Sequence, residues 1–233
     1  MYTAKKRYGS DPTIVERSKN ATFYLPITMR RNGKLRWESG QKIFVCSWSD
    51  FFHPDADEWR SAAWEIIKQR PDLVFQILTK RPQFIASRLP PDWDKGWKNV
   101  WLGITGENQK SFSTRWRKLQ PIPAVLRFVS FEPLLESISI DHELLTSIDW
   151  VIIGSESGPG ARHMKESWVR DIVHQCKEKE FDIPVFYKQK LSMKGKKITL
   201  PSLNGKIYSE FPISGFSPGH KYNQTNEKKR RNK

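Results

Sequence analysis

Val100-Trp101-Leu102-Gly103-Ile104-Thr105-Gly106-Glu107-Asn108 decides how this chain is read. Val100 to Ile104 is apolar, rich in β-branched and aromatic residues, and about as long as a buried strand. A polar cluster follows it. Asn108 to Leu119 then places Phe112, Trp116 and Leu119 on one helical stripe. Strand, polar tip and helix make one βα unit.

The unit recurs on both sides. Apolar runs start at 43, 74, 100, 125, 150 and 184: Ile43 to Cys46, Val74 to Leu78, Val100 to Ile104, Val125 to Val129, Trp150 to Ile153 and Pro184 to Tyr187. Ala56 to Gln69 sets Trp59, Ala63, Ile66 and Ile67 on one helical face, with Asp55 as N-cap and Pro71 as stop. Glu166 to Glu180 gathers Val169, Ile172, Val173 and Cys176, with Ser167 or Glu166 near its cap. Arg81 to Arg88 is at best a short helix, and Glu132 to Ser147 mixes loop and helix. Buried strands alternating with helices indicate a parallel sheet. The expected fold is α/β, a partial TIM-type barrel of about six βα units with parallel strands, plus a small basic C-terminal extension. An open doubly wound sheet is the alternative. Residues 1–189 are expected to form the barrel-like domain, with an N-terminal strand missing. Residues 190–213 are expected to be a β-rich or irregular appendage, with Asn204-Gly205 as a hairpin turn. Residues 214–233 read as a disordered basic tail.

Composition narrows the classes. The 233 residues are 37% hydrophobic and 12% aromatic, which demands an interior. No stretch approaches the ~18 consecutive apolar residues of a membrane span. Met1 to Ser18 is charged and lacks the apolar core of a signal peptide. Cys46 and Cys176 are the two cysteines, so disulfide scaffolds and all-cysteine metal sites are excluded and a cytoplasmic setting fits. Each reads as a small apolar packing residue. The net charge is +15. It is carried by the ends: residues 36–189 hold 21 basic and 21 acidic residues. Basic ends suit nucleic acid.

Polar clusters end the apolar runs, and in parallel α/β folds such tips converge on one edge. The convergence would bring together Asp50, Lys80, Arg81, Glu107, Asn108, Glu132, Glu156, Lys188 and Gln189. Loops are polar in any case, and Glu107 and Asn108 also suit a helix start. Gly154-Ser155-Glu156-Ser157-Gly158-Pro159-Gly160-Ala161-Arg162 is the most distinctive tip. Its glycines let backbone approach a ligand, and Arg162 suits a phosphate or carboxylate. A tight turn needing glycine is the plainer alternative. His53, His142, His163, His174 and His220 form no recognisable metal pair. Trp48, Trp93 and Trp97 are candidates for stacking on a ring.

The ordered motifs Phe44-Val45-Cys46-Ser47-Trp48-Ser49-Asp50, Gln76-Ile77-Leu78-Thr79-Lys80-Arg81-Pro82, Trp101-Leu102-Gly103 with Glu107-Asn108-Gln109, Ser130-Phe131-Glu132-Pro133, Gly154 to Arg162 and Phe186-Tyr187-Lys188-Gln189 resemble the phage-type three-cysteine-motif family, phage proteins of unknown function. The resemblance spans roughly residues 5–212. It implies a divergent radical S-adenosylmethionine-like barrel, and the basic ends point to a nucleic-acid-related substrate for it. Gly154, Glu156, Gly158 and Arg162 would then bind the S-adenosylmethionine cofactor. Asp50, Lys80, Arg81, Glu107, Asn108, Glu132, Lys188 and Gln189 would line substrate space. The family's cysteine motif precedes the segment matching Met1 to Arg7, so a [4Fe–4S] cluster is expected only in an N-terminally extended form. Met1 is then either an internal methionine or the start of a shortened, non-catalytic nucleic-acid or nucleotide-binding protein.

Overall fold

A computed structural model describes residues 15–212 apart from Trp48 and Met193. The sequence readings for Trp48, for the first fourteen residues and for the tail from 214 lie outside the described residues. Six parallel strands carry the fold: β1 (Lys42–Val45), β2 (Val74–Thr79), β3 (Val100–Thr105), β4 (Leu126–Phe131), β5 (Trp150–Gly154) and β6 (Val185–Leu191). They neighbour one another in chain order, with β7 (Lys197–Thr199) added antiparallel to β6. The order never reverses, so the doubly wound alternative is excluded, because that fold turns back at a switch point.

The crossover helices are α1 (Asp57–Gln69), α2 (Gln109–Leu119), a single turn α3 (His142–Leu145) and α4 (Glu166–Cys176), and a further single turn, Asn20–Phe23, precedes β1. Right-handed crossovers between sequential parallel neighbours put every crossover helix on the same face. Strand residues alternate between the faces. Ile77, Leu102, Val129, Val151 and Val185 join the helices' Trp64, Phe112, Trp116, Ile172 and Val173 in one core. Val74, Trp101, Leu126, Phe128, Trp150 and Ile152 form a second cluster on the opposite face.

That second face is concave. The Phe211 ring stacks 5.1 Å from Trp150 and 5.1 Å from Phe186, while the Lys42 ammonium lies 5.1 Å from the same ring. In a flat sheet β1 and β6 would be ~24 Å apart. One ring reaches both because the sheet curls into a half-barrel. The segment that carries Phe211 is tied down by Trp150 Nε1 donating to the Glu210 carbonyl at 2.9 Å and by Tyr187 N–H donating to Tyr208 at 2.8 Å.

Several local expectations change. α1 buries Arg60 and Trp64, with Ile66 and Ile67, and leaves Trp59 only partly covered. Arg60 is tolerated inside because it donates to the carbonyls of Phe51 (3.0 Å) and His53 (2.6 Å) and pairs with Asp57. Asp55 does not cap α1: it belongs to a 3-10 turn, Pro54–Ala56, and Ala56 stands at the cap. Arg81 to Arg88 resolves into two 3-10 turns. α4 stops at Cys176, short of Glu180, and Lys165 precedes it without a side-chain cap. β6 runs on through Lys188 and Gln189, which the sequence reading placed beyond the strand. Cys46 lies just past β1 in the left-handed region (φ 55°), exposed rather than packed in a strand. Trp93 is buried against Trp64 and Trp97, 5.6 and 5.9 Å away, which explains both rings as packing. Past β7, β8 (Ser202–Leu203) and β9 (Lys206–Ile207) form the expected hairpin. Asn204 and Gly205 both have positive φ, 50° and 79°, as a type I′ turn requires.

Candidate functional site

All six parallel strands end on one edge of the half-barrel, and their tips form its mouth. Asp50 after β1 is fully engaged there. Its Oδ1 accepts from Phe52 N–H (3.0 Å) and Thr79 Oγ1 (2.7 Å). Its Oδ2 accepts from Lys80 N–H (2.9 Å) and the Arg81 guanidinium (3.2 Å). Asp50 therefore stitches the β1 tip to the β2 tip. Asn108 is also spent, because its Oδ1 accepts from Ser111 N–H at 2.8 Å and caps α2. Gln189 is buried, its amide donating to the Ser155 carbonyl at 2.9 Å. These three hold the site together and do not line it.

The others meet as cation–carboxylate pairs. The Lys80 ammonium and the Arg115 guanidinium both grip Glu107. Burial pushes Glu107 up, but hydrogen bonds from Lys80 and Arg115 and the Lys80 charge outweigh it and hold the carboxyl below its ordinary range. Arg162 takes Glu156 in a fork, Nε to Oε2 at 2.8 Å and Nη2 to Oε1 at 2.7 Å, and its backbone N–H donates to Oε2 at 2.9 Å. These contacts lower the Glu156 carboxyl to about 2. The Lys80 charge also acts on Glu156, and the Glu107 charge on Arg162, so the two pairs are electrostatic neighbours. Lys188 meets Glu132 at 3.0 Å.

The glycines divide by role. A Cβ on Gly154 would come within 3.0 Å of the Glu132 carboxyl carbon, so glycine lets Glu132 lie across the β5 tip. Gly158 (φ 105°) and Gly160 (φ 73°) have open space around them and supply turn geometry. Arg115 escaped the sequence reading. It sits on the polar side of α2, and no pattern marks a helix arginine that folds back onto the carboxylate preceding its own helix.

Among the described residues, no group of three or more His, Cys, Asp or Glu side chains is placed to hold a metal. His174 is exposed, 3.9 Å from Glu178. No helix among the described residues is long and apolar enough to cross a membrane.

Fold and mouth define an α/β half-barrel protein with a paired-charge site at the carboxyl ends of its strands. The chain belongs to the family described as "Protein of unknown function (DUF5131)", whose model matches residues 6–212. No curated protein matches the chain, and no solved structure does.

Proposed function

We propose that the mouth binds a zwitterionic small molecule of the S-adenosylmethionine type, in a cytoplasmic protein that works on a nucleic-acid-related substrate. The observation behind this reading is the paired state of the mouth. Arg162 with Glu156, Lys80 with Glu107 and Lys188 with Glu132 place both signs of charge within one rim. A bare anion would compete with a carboxylate for each cation. A zwitterion trades partner for partner: its carboxylate takes Arg162 or Lys80, and its ammonium takes Glu156 or Glu107. The depressed Glu156 carboxyl stays ionised throughout the working pH range.

A [4Fe–4S] cluster does not fit these residues. It is held by cysteine thiolates, of which these 233 residues offer two candidates. Cys46 is exposed just past β1, and burial pushes the Cys176 thiol, inside the helix-side core, up to about 12.

Calorimetric titration of the full chain with S-adenosylmethionine and S-adenosylhomocysteine tests the proposal. Saturable binding is expected, with at least a tenfold loss in Arg162→Ala, on the order of one charge-assisted hydrogen bond. Absence of saturation, or an unchanged affinity in Arg162→Ala, defeats it.

A second reading has its own observation. Arg31, Lys34, Arg36, Lys194, Lys196 and Lys197 are exposed and form no ion pair among the described residues. Such cations suit a polyanion better than the neutralised mouth does. Affinity for duplex DNA is then expected to fall with salt at a log–log slope of about −0.9 per phosphate neutralised. A flat salt dependence removes nucleic acid as a partner.

A further inference from the structure

The concave wall below the mouth carries polar side chains that the fold does not use. Arg60, Arg70, Thr79, Asn99 and Gln189 are buried and hydrogen-bond within the protein, while the buried Ser155 Oγ and Tyr187 Oη have no partner among the described residues. Gln76, Thr105 and Ser130 are 7%, 3% and 2% exposed. Among the described residues, the Gln76 Nε2 is a buried donor without an acceptor. The hydroxyls of Thr105 and Ser130 make no hydrogen bond among the described residues.

Strand alternation puts all three on the concave face. Gln76 lies between Phe75 and Ile77 of the helix-side core and shares its face with Val74 and Leu78 of the concave cluster. Thr105 is two residues beyond Gly103, where a Cβ would strike the Phe128 ring, and Ser130 is two residues beyond Phe128. Thr105 and Ser130 are register partners across β3 and β4. Gln76 pairs with Phe44 on β1 and with Trp101 on β3. Phe44 is 44% exposed, so an aromatic ring stands open beside the orphaned amide.

The chemistry of this strip is specific. It carries donors and acceptors and no charge, so it suits an uncharged polar group. A carboxamide offers a donor and an acceptor side by side, the pattern complementary to the amino group and ring nitrogen of adenine. An exposed phenyl ring offers a stacking face. Gln76 lies four residues, ~13 Å, below Lys80 on the same face of the sheet, about the span of a nucleoside.

We propose that the concave wall is a nucleobase site, in which Gln76 reads an adenine-like edge, Phe44 stacks on the ring, and the Thr105 and Ser130 hydroxyls bond the base or its sugar. The proposal rests on the earlier reading only in using the same mouth as entrance.

The test titrates adenosine and ribose into the full chain and into Gln76→Leu and Thr105→Val, two variants close in shape to the native residues. Their thermal melts report folding. Adenosine is expected to bind and ribose not, with adenosine affinity falling tenfold or more in both variants. Equal binding of adenosine and ribose overturns the proposal, as does native adenosine affinity in both variants. If one variant fails to fold, the other decides. Repeating the titration with saturating S-adenosylhomocysteine separates two sources of the base. Competition assigns it to the adenosyl part of the mouth ligand, and simultaneous binding assigns it to a separate substrate. Both results support a nucleobase site. Failure of S-adenosylhomocysteine to bind at all, with Gln76-dependent adenosine binding intact, removes the zwitterion reading and leaves this one standing.

Discussion

Trp150→Ala is expected to destabilise the chain by about 3–5 kcal/mol, the cost of removing a large buried ring. Trp150 is 2% exposed and stands at the centre of the concave floor. Its ring contacts Trp101 at 5.9 Å, Phe128 at 5.5 Å, Phe186 at 6.2 Å and Phe211 at 5.1 Å. Alanine removes all four contacts and opens a cavity. It also orphans the Glu210 carbonyl, which accepts from the indole N–H. The segment at Phe211 that plugs the amino end of the half-barrel then loses its main anchor. For a domain of this size the melting temperature should fall roughly 6–20 °C. Trp150→Phe keeps the floor but not the indole donor, so it should lose less. If Trp150→Ala melts within a degree or two of the native chain, the concave cluster is not a packed core, and the curled sheet described above is wrong.

The strands were legible because burial on both faces of a parallel sheet leaves continuous apolar runs. All six runs start within a residue of their strands. The order of the strands was not legible, since a barrel and a doubly wound sheet use the same βα units. Phe211 shows why curvature was hidden. Its partners Trp150 and Phe186 lie 61 and 25 positions away, and no local pattern connects them. At the mouth, position was legible and the work of each side chain was not. Position at a strand tip places a residue on the right edge of the sheet, but it does not say whether its side chain serves the ligand or the backbone. Asn108 and Asp50 are polar tip residues whose acceptors are consumed by nearby N–H groups. Arg115 is the converse, a helix residue that reaches the mouth through its length. Gln76 passed as one polar letter in a strand run, because its significance lies in a missing partner, which only the packed structure exposes.

Asp50→Ala separates the two meanings of a tip residue. Read as a ligand contact, Asp50 should cost binding and leave stability alone. The structure predicts the reverse order of effects. One carboxylate accepts from Phe52 N–H, Thr79 Oγ1, Lys80 N–H and Arg81, joining the tips of β1 and β2. Alanine leaves the Thr79 hydroxyl, 2% exposed, and the nearby N–H donors without this acceptor. Hydrogen bonds to a charged group contribute about 1.5–3 kcal/mol, and the half-exposed Arg81 adds little, so the loss should be about 2–4 kcal/mol. Asparagine is a poor rescue, since its NH₂ would face a donor where Oδ2 now accepts. Asp50→Asn should therefore recover less than half of the loss in urea unfolding. Binding at the mouth should weaken in step with stability, because freeing the Lys80 backbone loosens the ammonium that grips Glu107. A variant that unfolds at the native urea midpoint yet no longer binds S-adenosylhomocysteine would return Asp50 to the ligand and leave β1 held to β2 by its ladder alone.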